Sequence, residues 1–115
     1  MPSAYGGASG LAAGTTVLVV VPAPASDKVR RVVRGMRCFN ADTAAVTLTV
    51  RKSLAKSGMH YVIDQVVLAS GAVWKFGDMG EVLVLCGTDE SVTAVLAGAV
   101  SSNPPNVTAS WEDAV

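Results

Sequence analysis

Apolar and polar side chains alternate along residues 46–51, where Val46, Leu48 and Val50 are separated by threonines and followed by Arg51. A period of two is typical of a β-strand that is buried on one face only. Valine and threonine are β-branched and pack well on a pleated surface. The pattern therefore predicts a strand whose three apolar residues point into a core.

A second strand is predicted immediately upstream, with less regular alternation. We expect Val32, Met36 and Cys38 to form its buried face and Gly35 to mark a β-bulge. The sequence NADTA lies between the two strands and contains residues that hydrogen-bond to their own backbone in turns. Residues 30–52 are therefore predicted to form an antiparallel hairpin.

Short apolar runs continue along the chain, separated by glycine, proline or small polar residues that favour turns. These runs predict strands at residues 15–21, 60–68, 73–76, 82–85, 91–97 and 107–111. The run at 60–68 is one strand with a kink or two strands, and the run at 82–85 is expected to be buried on both faces. About eight short strands without a helical pattern predict an all-β fold, a single antiparallel β-sandwich that is jelly-roll-like or Ig-like.

The first 14 residues, MPSAYGGASGLAAG, consist mainly of glycine, alanine and serine. Few of these side chains are large enough to contribute to a core, and segments of this composition behave as flexible linkers. The chain is therefore divided into a flexible N-terminal arm, residues 1–14, and a β-sandwich domain, residues 15–115.

Charge and composition narrow the choice of partners. The 115 residues include nine basic and nine acidic side chains, with a hydrophobic content of 50% and a charged content of only 16%. A chain of zero net charge offers no electrostatic basis for nucleic acid or an anionic membrane as its main partner. Near-zero net charge favours association between proteins. We therefore expect a homo-oligomer that binds neither nucleic acid nor membrane.

No motif of a catalytic, cofactor or metal site is present in the sequence. His60 is the only histidine, which is too few ligands for a typical metal site. Cys38 and Cys86 are the only cysteines. We expect both thiols to be reduced and buried, with a disulfide between them as the alternative. The sequence predicts a protein that is not an enzyme and that needs no cofactor.

Three aromatic and two basic residues are the candidates for an assembly interface. Tyrosine and tryptophan are enriched where proteins meet, and basic residues at the start of a strand mark a solvated or subunit-facing edge. The candidates are Tyr5, Arg30, Arg31, Trp74 and Trp111. The aromatic residues are equally compatible with a place in the core.

The order of several motifs resembles that of short β-sandwich virion accessory proteins of tailed bacteriophages. A basic strand (KVRRVVRGMRCFN) leads into an Asn-x-Asp-Thr turn and an alternating strand (AVTLTVRK). An apolar strand closed by Leu-x-x-Gly, the segment VLVLCGTDE and the closing segment VTASWED follow. The resemblance covers about residues 15–113 and departs from the usual pattern at Pro104, Pro105 and Cys86.

This resemblance implies a head decoration or cement protein that binds the capsid surface and self-associates, with a trimer favoured by closed symmetry around capsid axes. Its partners would be copies of itself and other virion proteins such as the major capsid protein. It would be assembled into the virion in the cytoplasm of the bacterial host. A neck or tail protein is the alternative within this group. A carbohydrate-binding or receptor-binding module is the alternative outside it, and a solvent-exposed Trp74 would favour that alternative.

Overall fold

A computed structural model of the chain describes residues 3–12 and 14–114, with side chains from Gly6 onward. The described residues form nine β-strands and no helix. The strands are β1 (Ser3–Leu11), β2 (Leu18–Val21), β3 (Arg30–Phe39), β4 (Val46–Leu54), β5 (His60–Leu68), β6 (Val73–Phe76), β7 (Leu83–Cys86), β8 (Glu90–Leu96) and β9 (Asn106–Ala114). A search of this part of the chain finds no helix long and apolar enough to cross a membrane.

The strands form two antiparallel sheets that pack face to face. The first sheet has the order β1–β9–β3–β6, and β7 also pairs with β3. β6 and β7 pair with different halves of β3, at Met36–Phe39 and Arg30–Val33 respectively. The second sheet has the order β2–β8–β4–β5.

Strand pairing is concentric along the chain. β1 pairs with β9, β2 with β8, β3 with β6 and β7, and β4 with β5. The chain thus follows the path of one long hairpin that folds over to form two sheets. β6 and β7 together fill a single strand position at the edge of the first sheet. This is the arrangement of a double-sheet jelly roll with eight strand positions. The predicted antiparallel β-sandwich is confirmed, and its strand order is that of the jelly-roll-like alternative.

Apolar side chains from both sheets fill the space between them. The predicted inward face of β4 is confirmed, because Val46, Leu48 and Val50 are 7%, 0% and 2% exposed. Burial of a large aliphatic side chain contributes about 1.5–3 kcal/mol relative to exposure, so this shared core is the main source of stability. Further core residues are Val21, Val33, Met36, Cys38, Leu85, Val92, Leu96 and Val107.

The predicted hairpin of residues 30–52 is wrong. β3 lies in the first sheet and β4 in the second, so the segment between them crosses from one sheet to the other. The buried Asn40 holds this corner, since its side-chain amide donates to Ala44 O at 3.0 Å and to Leu68 O at 2.9 Å. Alternation of side chains shows which face of a strand is buried, but it does not specify the neighbouring strand.

The predicted bulge in β3 is present, but it changes which residues are buried. The register of β3 with β9 shifts between Val33 and Gly35. Because an extra residue exchanges the two faces of a strand, Val33 is fully buried and Val32 is only half-buried. Met36 and Cys38 lie beyond the bulge and face the core as predicted, at 3% and 0% exposure.

The predictions for the apolar runs at residues 60–68 and 82–85 have different outcomes. β5 is one continuous strand with a register shift against β4, which is the predicted kink. The expectation of a strand buried on both faces at residues 82–85 is wrong. β7 lies at the edge of the first sheet and pairs with β3 only, and Leu85 is its only buried residue.

Most of the predicted arm has a backbone partner in the structure. β1 pairs with β9 from Ser3, opposite Ala114, to Leu11, opposite Asn106. The composition of this segment did not predict a strand, because glycine and alanine have low β-propensity. Whether β1 can also leave the sheet as an arm, as the division at residue 14 implies, stays a prediction.

Candidate assembly surfaces

Arg31 and Trp111, two of the candidate interface residues, contact each other within the chain. The Arg31 guanidinium donates from Nε to Asp113 Oδ1 at 2.7 Å and from Nη2 to Asp113 Oδ2 at 2.9 Å. Its third nitrogen donates to Pro22 O at 2.7 Å, and its central carbon lies 4.8 Å from the Trp111 ring centroid. Arginine binds a carboxylate strongly through two parallel hydrogen bonds, and its planar guanidinium group also stacks on aromatic rings. This cluster ties β3, β9 and the segment after β2 together.

Trp111 is 9% exposed and has a specific partner in β1. It lies opposite Gly6, where a β-carbon would be 2.5 Å from the indole Nε1. The glycine therefore allows the indole to pack against the backbone of β1. Burial leaves the ring of Trp111 little surface to offer a partner protein.

Trp74 lies at the other end of the first sheet, opposite Cys38, and is 7% exposed. Its indole Nε1 donates to Asp64 Oδ2 at 2.8 Å, and its ring stacks on Phe76 with centroids 6.5 Å apart. Asp64 belongs to β5 of the second sheet and also accepts the Gln65 amide at 2.9 Å. Trp74 thus links the two sheets along their open edge.

The remaining two candidates lie at the same end of the first sheet as Arg31. Arg30 is exposed, and its Nη1 is 3.4 Å from Cys86 Sγ. The backbone of Tyr5 pairs with Glu112, and its side chain lies outside the described residues. The structure therefore brings Tyr5, Arg30, Arg31 and Trp111 to one end of the sheet and places Trp74 at the other. Their role in assembly stays a prediction.

The two cysteines are free and have different environments. Cys38 is buried in the core, whereas Cys86 is exposed on β7. The expectation of two buried thiols is therefore wrong for Cys86. Its side chain points outward because side chains alternate along β7 and the neighbouring Leu85 faces the core.

One contact has residue types that occur in nucleophilic catalysis. Ser53 Oγ lies 2.8 Å from His60 Nδ1 and 2.8 Å from Thr93 Oγ1. A catalytic serine also needs an orienting group on the histidine and an oxyanion site. Within the described residues, no carboxylate hydrogen-bonds to His60 and no group of histidine, cysteine or carboxylate side chains could hold a metal ion. Ser53 is 9% exposed, and the contact serves to join β4, β5 and β8.

The outer face of the second sheet carries exposed valines. Val19, Val62 and Val67 are 53%, 62% and 68% exposed. Their cross-strand neighbours on this face are threonines and Arg51. Arg51 is half-buried, and its Nε has no hydrogen-bond partner among the described residues. Exposed apolar side chains therefore lie beside polar ones across this face, which the sequence analysis did not predict.

The outer face of the first sheet carries an open groove of about 360 Å³ across β3, β6 and β9. We call it the basic groove and define it by Arg34, Arg37, Lys75, Thr108 and Ser110, all of which are exposed. Arg37 is the cross-strand neighbour of both Lys75 and Thr108. Sequence reasoning missed this groove because its residues are spread from Arg34 to Ser110 and form no motif. Only the pairing of β3 with β6 and β9 brings them together.

The class of protein that this arrangement defines is a single-domain jelly roll. Solved structures share the fold at low sequence identity. PirA is 12% identical, with a TM-score of 0.54 over 93% of this chain and 92% of that chain. A protein of Bacillus endospore appendages, a family of disulfide-linked pili, is 13% identical, with a TM-score of 0.52 over 96% and 85%.

A chain of the acidic stable capsid of Helicobacter pylori bacteriophage KHP30 is similar in the same way. It is 10% identical, with a TM-score of 0.50 over 97% of this chain and 87% of that chain. At these identities the likeness shows the fold alone. No protein-family model and no curated protein sequence matches this chain.

Proposed function

We propose that this chain is a structural protein of a virion that decorates or cements the capsid. The observation that carries the proposal is the jelly roll, which extends over the described chain and is shared with the KHP30 capsid chain over 97% of its length. Jelly rolls recur in viral capsid proteins. The sequence resemblance to phage virion accessory proteins supports the same class independently of the strand order.

The two outer faces of the sandwich support the proposal that the subunit contacts a different partner on each side. The valine-rich face of the second sheet and the basic groove of the first sheet lie on opposite sides of the sandwich. A protein that bridges neighbours needs two patches that do not compete for one partner. We propose self-association, with a trimer favoured, together with binding to a virion protein such as the major capsid protein.

The protein is proposed not to be an enzyme. The Ser53–His60 contact lies outside the basic groove and joins three strands. The proposal is compatible with the virion role, because a subunit that persists in an assembled particle needs stability and complementary surfaces. It also places the protein in the virion after assembly in the bacterial cytoplasm.

Quantitative mass spectrometry of purified particles from the phage or prophage that carries the gene tests the proposal. The expected result for a decoration or cement protein is a ratio to the major capsid protein near one, which corresponds to one trimer for every three capsid subunits. A few copies per particle would instead support the alternative position in the neck or tail. Complete absence from the particles would overturn the virion role.

A glycan array provides the matched test of the alternative binding module. Sugar-binding sites on β-sandwiches use exposed aromatic rings, and Trp74 is only 7% exposed. We therefore expect no specific glycan binding. Strong and selective binding of one glycan, lost on mutation of the exposed Tyr61, would favour the receptor-binding alternative.

A further inference from the structure

Positive and negative charges are equal in number, and most of the carboxylates are held by contacts within the chain. Seven of the nine carboxylate side chains accept hydrogen bonds from within the chain. These seven are Asp27, Asp42, Asp64, Glu81, Asp89, Glu90 and Asp113. These hydrogen bonds fix the carboxylates in place without removing their charge, so where the surface is locally positive depends on where the cations cluster.

Three of the seven basic residues that form no ion pair within the described residues line the basic groove. In the part of the chain that the structure describes, the ion pairs are Arg31–Asp113 and Lys52–Glu90, and neither includes a groove residue. Arg34, Arg37 and Lys75 are all exposed. Asp78 also lines the groove, but it is not within ion-pair distance of the three cations. The groove thus has a local excess of positive charge on a chain of zero net charge.

The shape of the groove depends on two glycines. A β-carbon at Gly35 would lie 3.4 Å from Ser110 Oγ, so any larger side chain there would occupy the floor of the groove. A β-carbon at Gly77 would overlap Arg34 O, so the turn after β6 can approach the bulge of β3 this closely only with a glycine. The bulge and this turn hold the cations around an open floor with two hydroxyl groups.

We propose that the basic groove binds an acidic segment of a partner protein. The guanidinium groups of Arg34 and Arg37 match the geometry of aspartate and glutamate carboxylates, and Lys75 adds a third positive charge. The hydroxyls of Thr108 and Ser110 can donate to the same carboxylates or to backbone carbonyls of the segment. This inference deepens the proposed function by naming the chemistry of the partner surface. It rests on the proposed function only in expecting that the partner is another virion protein.

A protein segment fits the groove better than nucleic acid does. Proteins that bind nucleic acid mainly through charge make several phosphate contacts, about 6–10 in well-studied cases. The groove has three cations beside one carboxylate. Single-stranded nucleic acid also needs exposed rings for stacking, and Phe76 of this groove is half-buried and stacked on Trp74.

The first test uses the purified protein and poly-L-glutamate as the probe. Binding is measured by isothermal titration calorimetry for the natural chain, for the groove variant Arg37→Glu/Lys75→Glu, and for the control variant Lys28→Glu/Lys56→Glu. Both variants change the net charge equally, and the control cations lie outside the groove. We expect binding to weaken by about tenfold or more in the groove variant and by less than about threefold in the control.

Circular dichroism melting confirms that each variant is folded. Gly35→Val serves as a second groove variant, because its side chain fills the floor of the groove without changing the charge. Equal weakening in the groove and control variants would overturn the inference, because net charge would then explain the binding. Tighter binding of a 20-residue oligothymidylate than of poly-L-glutamate, with loss in the groove variant, would also overturn it and assign the groove to nucleic acid.

The second test uses particles and separates this inference from the proposed function. Zero-length carbodiimide cross-linking joins an amine to a carboxylate that is in contact with it. We expect Lys75 to be linked to an aspartate or glutamate of another virion protein. Cross-links from Lys28 or Lys56 but none from Lys75 would overturn the groove assignment while leaving the virion role intact. Absence of the chain from particles would overturn the virion role, and the poly-L-glutamate result would still decide the groove.

Discussion

At the scale of single residues, Asp42 has a buried carboxylate and is only 2% exposed. Its carboxylate accepts the backbone amides of Ser101, Ser102, Asn103 and Thr43. These bonds, that from Ser101 foremost, lower the pKa of Asp42 from 3.8 to about 2, although burial acts in the opposite direction. One side chain thereby fastens the corner between β3 and β4 to the loop before β9.

Asp42→Asn is expected to destabilise the protein at neutral pH and to change its pH dependence. A lowered folded-state pKa contributes stability above the unfolded value of 3.8, and this stability is lost as pH falls toward about 2. The difference in Tm between the natural chain and the variant should therefore narrow from pH 5 to pH 2. Asp78→Asn, at an exposed carboxylate, is the control and should behave like the natural chain. A constant difference across this pH range would contradict the assigned role.

The two thiols should also differ in reactivity. Burial raises the pKa of Cys38 to about 11, so this thiol is both inaccessible and protonated at neutral pH. We expect a disulfide-forming reagent to modify one thiol per folded chain and two after unfolding in guanidinium chloride. Cys86→Ser should leave no reactive thiol in the folded protein. Two unreactive thiols in the natural chain that become reactive only after reduction would show a disulfide instead.

At the scale of strands, local patterns identified the elements but not their partners. The alternation of β4 correctly gave its inward face, and Gly35 correctly marked the bulge of β3. The bulge also exchanged the faces of β3, so Val33 rather than Val32 is buried, and a pattern of period two cannot place such a shift to the residue. β1 was missed because its strand character comes from pairing with β9 and packing on Trp111, not from its own composition.

The candidate surfaces were harder to predict than the strands. Arg31 and Trp111 have the residue types of an interface, but they are satisfied by Asp113 and by the backbone of β1, which are distant in the sequence. The basic groove consists of ordinary surface residues, which form a groove only because strand pairing makes them neighbours. Both outcomes depend on strand order, which the sequence pattern leaves open.

The contact between the β6–β7 turn and the bulge of β3 can be tested with two glycines. Gly77 and Gly80 both have positive φ, at 99° and 87°. A β-carbon at Gly77 would collide with Arg34 O, whereas a β-carbon at Gly80 would meet nothing within 4 Å. Gly80→Ala should cost about 1–2 kcal/mol of unfolding free energy from conformation alone. Gly77→Ala should cost about 2 kcal/mol more or prevent folding. Equal losses in denaturant unfolding would contradict the close approach.

At the scale of the whole molecule, concentric pairing makes the outermost contact the most distant in the sequence. Ser3 lies opposite Ala114, whereas β4 and β5 are joined by a short turn. Contacts between distant segments slow folding because the loop must close before the pairing stabilises it. The jelly roll is therefore expected to fold slowly, with closure of β1 onto β9 among the costly steps.

Circular permutation separates this effect of topology from stability. The pairing of β1 with β9 allows the two chain ends to be joined by one short linker. One permutant is opened between Met79 and Gly80, in an exposed turn, and makes the β1–β9 pair local while keeping the β4–β5 pair local. The other is opened between Ser57 and Gly58 and makes β4–β5 the most distant pair.

Stopped-flow refolding should show that the permutant opened at residue 79 folds several-fold faster than the permutant opened at residue 57, because its mean contact separation is smaller. Their common linker makes each the control for the other, and their unfolding free energies show whether both reach the same fold. Equal refolding rates at equal stability would mean that long-range closure does not limit folding. The slow step would then lie in the corners between the sheets, where Asn40 and Asp42 form their buried hydrogen bonds.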